Sequence, residues 1–124
     1  VIVGLGVELV DLPRFEAAVA RFGDRLQQRL FTPGERRYAA QRARGAESLA
    51  VRFAAKLAAR RALGGPGLGW RDLEIVGEPG AAPALRLHGA AARAARALGV
   101  TRIALSLSHD ATWCLGHVVL ERGS

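Results

Sequence analysis

Six side chains on three separated segments carry groups that can do chemistry together. Arg52, Lys56 and Arg60 recur every four residues in Arg52-Phe53-Ala54-Ala55-Lys56-Leu57-Ala58-Ala59-Arg60-Arg61-Ala62-Leu63-Gly64. On a helix that spacing makes one basic stripe suited to phosphate, beside an apolar stripe of Leu49, Phe53 and Leu57. Lys56 is the only lysine of the chain; the other 17 Lys/Arg positions are arginine. Glu8 closes an apolar run, and an acid there reads as a structural carboxylate, a metal ligand or a proton carrier. His109 and Asp110 sit together between two apolar runs. They read either as a turn closed by Asp110 or as a phosphate contact and general acid–base group, because imidazole titrates near neutrality.

Further basic residues extend this inventory. Arg14, Arg21, Arg25 and Arg29 recur at near-helical spacing, which describes a solvated face or a docking face for an acidic helical partner. The net charge of +7 favours acidic partners in general. Nucleic acid is not expected as one: there is no zinc-finger spacing, no aromatic RNA-binding strand and no clear helix-turn-helix. Gly4-x-Gly6 opens like a dinucleotide fingerprint, but its third glycine would fall at Leu9. Those glycines are better explained by the close passage of another backbone. No membrane span is expected, since no apolar run is long enough. The N-terminal run lacks the basic flank and cleavage site of a signal peptide. One cysteine, Cys114, forbids an internal disulfide and fits the cytoplasm; set in an apolar run, it reads as a buried inert thiol.

The elements that must position these groups can be traced along the chain. The pattern predicts a strand over Ile2–Leu9, then a helix capped by Asp11 with Pro13 in its first turn and running to about Phe22. Thr32-Pro33-Gly34-Glu35 has the form of a capping box for a second helix. A third helix spans about Ala46–Leu63, ended by Gly64-Gly65-Pro66-Gly67. Leu73–Val76 and Ala84–Leu87 read as a hairpin around Glu78-Pro79-Gly80. Gly89–Leu98 reads as a helix, and Thr101–Ser108 and Trp113–Glu121 as two further strands. The order β-α-α-α-β-β-α-β-β predicts a single α+β domain over residues 1–124, with a mainly antiparallel sheet. His88 and His117 are read as packing or surface residues.

Taken together, the segments resemble the holo-acyl-carrier-protein synthases, the small trimeric branch of the 4′-phosphopantetheinyl transferases. The resemblance covers nearly the whole chain. It rests on Gly4-x-Gly6-x-Glu8-x-x-Asp11-x-x-Arg14-Phe15, Phe31-Thr32-Pro33-x-Glu35 and Arg52-Phe53-Ala54-Ala55-Lys56. It continues through Ala62-Leu63-Gly64, Trp70-x-Asp72-Leu73-Glu74-Ile75, Gly80-x-x-Pro83 and Ser106-Leu107-Ser108-His109-Asp110. It implies a homotrimer with sites between protomers, binding of coenzyme A, and an acidic acyl carrier protein as partner. In the family reaction a carrier serine attacks the β-phosphate of coenzyme A while magnesium neutralises the pyrophosphate. By correspondence, Arg52, Lys56, Gly64 and His109 are expected to face coenzyme A or carrier-bound phosphopantetheine. Arg14, Arg21, Arg25 and Arg29 are expected on the carrier-docking side.

Three departures fall on the chemistry. The family pattern has aspartate where this chain has Glu8, glutamate at Leu57 and lysine at Arg61. Glu8 remains a possible magnesium ligand, Leu57 offers no donor atom, and Arg61 clamps phosphate but does not readily release a proton. Magnesium binding is therefore expected to be impaired. The leading expectation is a repurposed member that works without metal on an acyl chain tethered to its carrier, by dehydration, isomerisation or cyclisation. Glu8, His109 and Arg61, with help from Asp110, would carry that chemistry in one shared cleft. The alternative is a magnesium-dependent transferase using coenzyme A. A non-catalytic carrier-binding module is the third reading.

Overall fold

The computed structural model describes residues 1–77 and 80–123. The chain folds as β1 (Ile2–Asp11), α1 (Leu12–Leu30), α2 (Pro33–Ala40) and α3 (Gly45–Ala62), followed by a 3-10 turn at Trp70–Asp72. It continues as β2 (Leu73–Val76), β3 (Ala84–Leu87), α4 (Gly89–Leu98), β4 (Arg102–His109) and β5 (Trp113–Glu121). The fold is α+β, in the element order the pattern predicts. The strands, however, divide into two antiparallel sheets, β1-β5-β4 and β2-β3. Glu78 and Pro79 of the expected turn lie outside the described residues.

Helix α3 is the spine. Ala50, Ala54, Ala58 and Ala62 on it are buried, and they lie against a strand surface notched by glycine. A Cβ at Gly4, Gly6 or Gly116 would run into the backbone carbonyl of Ala62, Ala58 or Ala54 respectively. Gly4-x-Gly6 therefore serves close approach of helix and sheet. Register then decides which side chains can reach a site. Gly4, Gly6, Glu8 and Val10 point toward α3, as do Cys114, Gly116, Val118 and Leu120 opposite them. The alternate residues face away.

Local signals set the ends of the other helices. The Asp11 carboxylate accepts from the Arg14 amide at 3.0 Å. Helix α1 does not end near Phe22: Gly23, at φ 59°, absorbs a kink and the helix re-forms to Leu30. Burial of Leu30, with Leu26 packed against the same cluster, holds that second segment in place. At α2 the capping box is complete, with Glu35 N donating to Thr32 Oγ1 at 3.2 Å and Thr32 N to Glu35 Oε1 at 2.8 Å. The aromatic core joins α1, α3 and the 3-10 turn, with Phe53 5.5 Å from Phe15 and 5.3 Å from Trp70. Cys114 is fully buried, and burial pushes its thiol up to about 11. Among the described residues, no helix is long and apolar enough to cross a membrane.

Candidate functional site

Two clefts lie at opposite ends of α3. The first, about 360 Å³, is lined by Glu8, Leu57, Arg60, Arg61, Gly64 and Pro66. Glu8 projects into it from β1, and the Arg61 guanidinium donates through Nε to Glu8 Oε1. The Arg61 side chain is 66% exposed, so a phosphate entering the cleft can compete with Glu8 for it. Arg60 is anchored differently. It stacks 4.2 Å from the Trp70 ring centroid, donates to the Pro66 carbonyl, and keeps a buried Nε without a hydrogen-bond partner. Gly64, at φ 80°, forms the turn that leaves the helix end open at this cleft.

The second cleft, about 450 Å³, is lined by Tyr38, Arg42, Arg44, Glu47, Ser48, Arg52 and His109, among others. Arg52 is only 6% exposed. Its guanidinium lies 3.9 Å from the centroid of Tyr38 and donates to Ser48 Oγ at 3.3 Å, yet its Nε has no partner. Among the described residues no carboxylate pairs with it. A buried guanidinium supported by stacking but not neutralised can serve as an anion receptor. Arg42 also stacks on Tyr38, at 4.8 Å, and Arg44 faces Glu47 at 3.4 Å. His109 Nε2 lies 3.5 Å from Glu47 Oε1. Sequence reasoning missed Tyr38, Arg42, Arg44, Glu47 and Ser48. The available signals were Arg42-x-Arg44 at the entry to the helix bearing Arg52, and Ser48 one turn before Arg52.

Several expected site residues lie elsewhere. Lys56 belongs to neither cleft. Its ammonium is fully buried, 2.7 Å from Glu35 Oε1 and 2.9 Å from the Trp70 carbonyl. Burial pulls its pKa below the ordinary lysine value, while Glu35 opposes that shift. The expected basic stripe of Arg52, Lys56 and Arg60 is not open to phosphate at its middle residue, because Glu35 of α2 and Trp70 of the 3-10 turn enclose the Lys56 ammonium. Asp110 acts as a turn residue. It accepts the amides of Thr112 at 2.8 Å and Trp113 at 2.7 Å, and these bonds hold its carboxyl below the ordinary range. Arg14, Arg21, Arg25 and Arg29 are all exposed on α1, with the Gly23 kink between the second and third.

Glu8 and His109 do not share a cleft within one chain. They contact α3 through Arg61 and Glu47, positions about 21 Å apart at the helical rise. Magnesium, the metal the resemblance implies, is commonly held by one or two carboxylates with substrate phosphates. Glu8 is the carboxylate that lines the first cleft, where it is engaged by Arg61, and Leu57 beside it contributes no donor.

The family of the chain can be decided by comparison. The sequence model of the 4′-phosphopantetheinyl transferase superfamily matches residues 4–114. The chain belongs to this superfamily. A holo-[acyl-carrier-protein] synthase of Koribacter versatilis is 42% identical over 123 residues, covering 97% of this chain and 98% of that protein. The crystal structure of holo-[acyl-carrier-protein] synthase from Neisseria meningitidis superposes with a TM-score of 0.88 at 30% identity, covering 98% of this chain and 100% of that one. A coenzyme A complex of the synthase from Chronobacterium ammoniagenes gives a TM-score of 0.83 at 29% identity, with 97% of each chain covered. This superfamily is one of enzymes. The expectation of repurposed chemistry on a tethered acyl chain is overturned by these relatives: sequences 42–47% identical over most of this chain's length are named as synthases.

Proposed function

We propose that the chain is a holo-acyl-carrier-protein synthase, transferring 4′-phosphopantetheine from coenzyme A to a serine of an acidic acyl carrier protein in the cytoplasm. The observation that carries this reading is the buried, un-neutralised Arg52 in an arginine-rich cleft, in a chain that matches synthases nearly end to end. Two arginine-bearing clefts suit a ligand with phosphates at separate points.

On this reading Arg52, Arg42 and His109 hold the phosphate at the nucleotide end, with Tyr38 keeping Arg52 in place. Arg61 and the open turn at Gly64 face the pyrophosphate. The magnesium site is altered, and the guanidinium of Arg61 is the fixed cation that the chain itself supplies there. As pyrophosphate engages Arg61, Glu8 is released and its carboxylate accepts the serine proton. The serine oxygen bonds to the β-phosphorus, the bond from that phosphorus to the bridging oxygen breaks, and adenosine 3′,5′-bisphosphate leaves. Glu8 and Arg61 thus remain in the proposed site, joined by Arg52, Gly64 and His109. Lys56 supports the helix that carries them.

Glu8 and His109 meet α3 at positions about 21 Å apart along the helix, and that separation gives assembly its role. In the homotrimer that we propose, the first cleft of one copy faces the second cleft of its neighbour, so that one coenzyme spans both. Carrier docking falls to Arg14, Arg21, Arg25 and Arg29, whose charge complements an acidic helix and speeds encounter. Intact-mass measurement of an apo carrier protein incubated with the chain, coenzyme A and magnesium tests the proposal. The expected result is a gain of one phosphopantetheine group. An unmodified carrier, with coenzyme A still bound by the chain, would leave a binding module in place of a transferase.

A further inference from the structure

Arg52 and Arg60 are built alike. They flank the sealed Lys56 on α3, one turn before it and one turn after. Arg52 lies 3.9 Å from the ring centroid of Tyr38, and Arg60 lies 4.2 Å from that of Trp70. Each keeps a buried Nε without a hydrogen-bond partner. Among the described residues, neither pairs with a carboxylate. Each lines a different cleft. The construction that lets Arg52 receive an anion is thus repeated at Arg60, in the first cleft beside Arg61.

The plane on which Arg60 rests is itself held. The Trp70 carbonyl accepts from the buried Lys56 ammonium at 2.9 Å, and the Trp70 ring lies 5.3 Å from Phe53. Trp70 therefore belongs to the sealed side of the helix, while the guanidinium stacked on it reaches the open side. The polar partner that Arg60 does have is neutral: it donates to the Pro66 carbonyl, in the exposed turn after α3. A phosphate oxygen outcompetes a carbonyl for that donor, because charge assistance roughly doubles the strength of a hydrogen bond. Stacking covers the flat face of a guanidinium and leaves the N–H groups at its edge free to change acceptor.

Arg60 and Arg61 complement each other. Arg61 is exposed and paired with Glu8, whereas Arg60 is half-buried on an aromatic plane. Consecutive residues leave a helix about 100° apart, so two guanidiniums that line one cleft approach it from different sides. Two linked phosphate groups can engage both at once.

We propose that Arg60 is a pyrophosphate-binding residue of the first cleft, that Trp70 positions it by stacking, and that the Pro66 carbonyl holds its place until the ligand arrives. The proposal deepens the synthase reading given above and rests on it. Arg60 binds and orients the pyrophosphate of coenzyme A from the side opposite Arg61, and moves no proton. Trp70 acts only through Arg60. The buried Lys56 enters the site indirectly, as the group that fixes the Trp70 backbone.

The chain has two tryptophans, so Trp113→Phe leaves Trp70 as the sole reporter of its own surroundings. Titration of that variant with coenzyme A, and separately with inorganic pyrophosphate, is expected to change the Trp70 emission saturably as Arg60 moves from Pro66 to phosphate. Adding Arg60→Gln should weaken both ligands by about tenfold or more, the weight of a charge-assisted hydrogen bond. Arg60→Lys should recover part of this, since it restores the charge without the stack. By calorimetry with coenzyme A, Trp70→Leu should resemble Arg60→Gln, and Trp70→Phe, which keeps an aromatic face, should restore most of the affinity. If Arg60→Gln leaves both affinities within about twofold while Arg61→Gln lowers them, the Arg60 stack is scaffold and the proposal is wrong. It is equally wrong if Arg60→Gln lowers the thermal midpoint and coenzyme A affinity but not pyrophosphate affinity. Failure of the unaltered chain to bind coenzyme A at all would instead remove the synthase reading, and this proposal with it.

Discussion

Helix α3 carries two ion pairs of the same kind in opposite surroundings. Lys56 with Glu35 and Arg61 with Glu8 each join a cation of α3 to a carboxylate from another element. The two cations are five residues apart, about 140° around the helix. The Lys56 pair is sealed: neither side chain has measurable exposure, and Glu35 also accepts the amides of Thr32 and Ile75. The Arg61 pair is open, with side-chain exposures of 66% and 23%. A sealed pair cannot exchange partners without unfolding its surroundings. An open pair can give up one partner to a ligand. The same charges thus build the scaffold on one side of the helix and an open cleft on the other.

The largest expected effect comes from breaking the sealed pair. Lys56→Met leaves Glu35 buried without its cation, at a cost of about 3–5 kcal/mol, read as a fall in the urea midpoint. Adding Glu35→Gln should recover part of that loss, because the uncompensated charge is then gone. Equal destabilisation by the single and double variants would show that packing, not charge, dominates the site.

The open pair should respond in the opposite way. Glu8→Gln is expected to change stability by no more than about 1 kcal/mol while lowering the rate of carrier loading about 10²- to 10⁴-fold. Unfolding curves and loading rates on one preparation separate the two. A variant that unfolds easily but still loads carrier would reverse the contrast. At the second cleft, Arg52→Gln should weaken coenzyme A binding by about 10- to 100-fold, the weight of a charge-assisted hydrogen bond, measured by calorimetry. Arg52→Lys should recover only part of that, since the ammonium keeps the charge but loses the planar stacking on Tyr38.

The smallest expected effect is at Glu74, next to the sealed pair. Burial raises its pKa, but hydrogen bonds from His88 and Thr32 outweigh this and hold the carboxyl below its ordinary value of 4.5. With the folded value depressed, the stabilisation is fully present above about 4.5 and lost as pH falls through the folded value. Glu74→Gln should flatten that part of the acid-unfolding profile. An unaltered profile would place the acid sensitivity in other carboxylates.

Much of the fold was legible because its signals are local. Asp11 before Pro13 and the Thr32–Glu35 box define helix starts through hydrogen bonds spanning three residues. Gly99 ends α4 through its own left-handed backbone at φ 75°. The kink at Gly23 was less legible, because whether a helix resumes after a glycine depends on what its next turn can bury. The site was legible only in part for the same reason. Glu8, Arg52 and His109 stood out by type and position, Arg61 and Gly64 only through the resemblance. Arg42 and Arg44 did not, since their importance comes from a cleft assembled from α2, the following loop, α3 and β4.

The sequence by itself determined the element order, the α+β class and the superfamily. These follow from near-neighbour chemistry and residue identity. Tertiary structure alone decided that Lys56 is sealed between α2 and the 3-10 turn, that Glu8 meets Arg61, and that His109 lies at the other end of α3. Burial and pairing depend on which elements cover a helix face, and a spacing of four residues is the same whether that face meets water or another layer of protein.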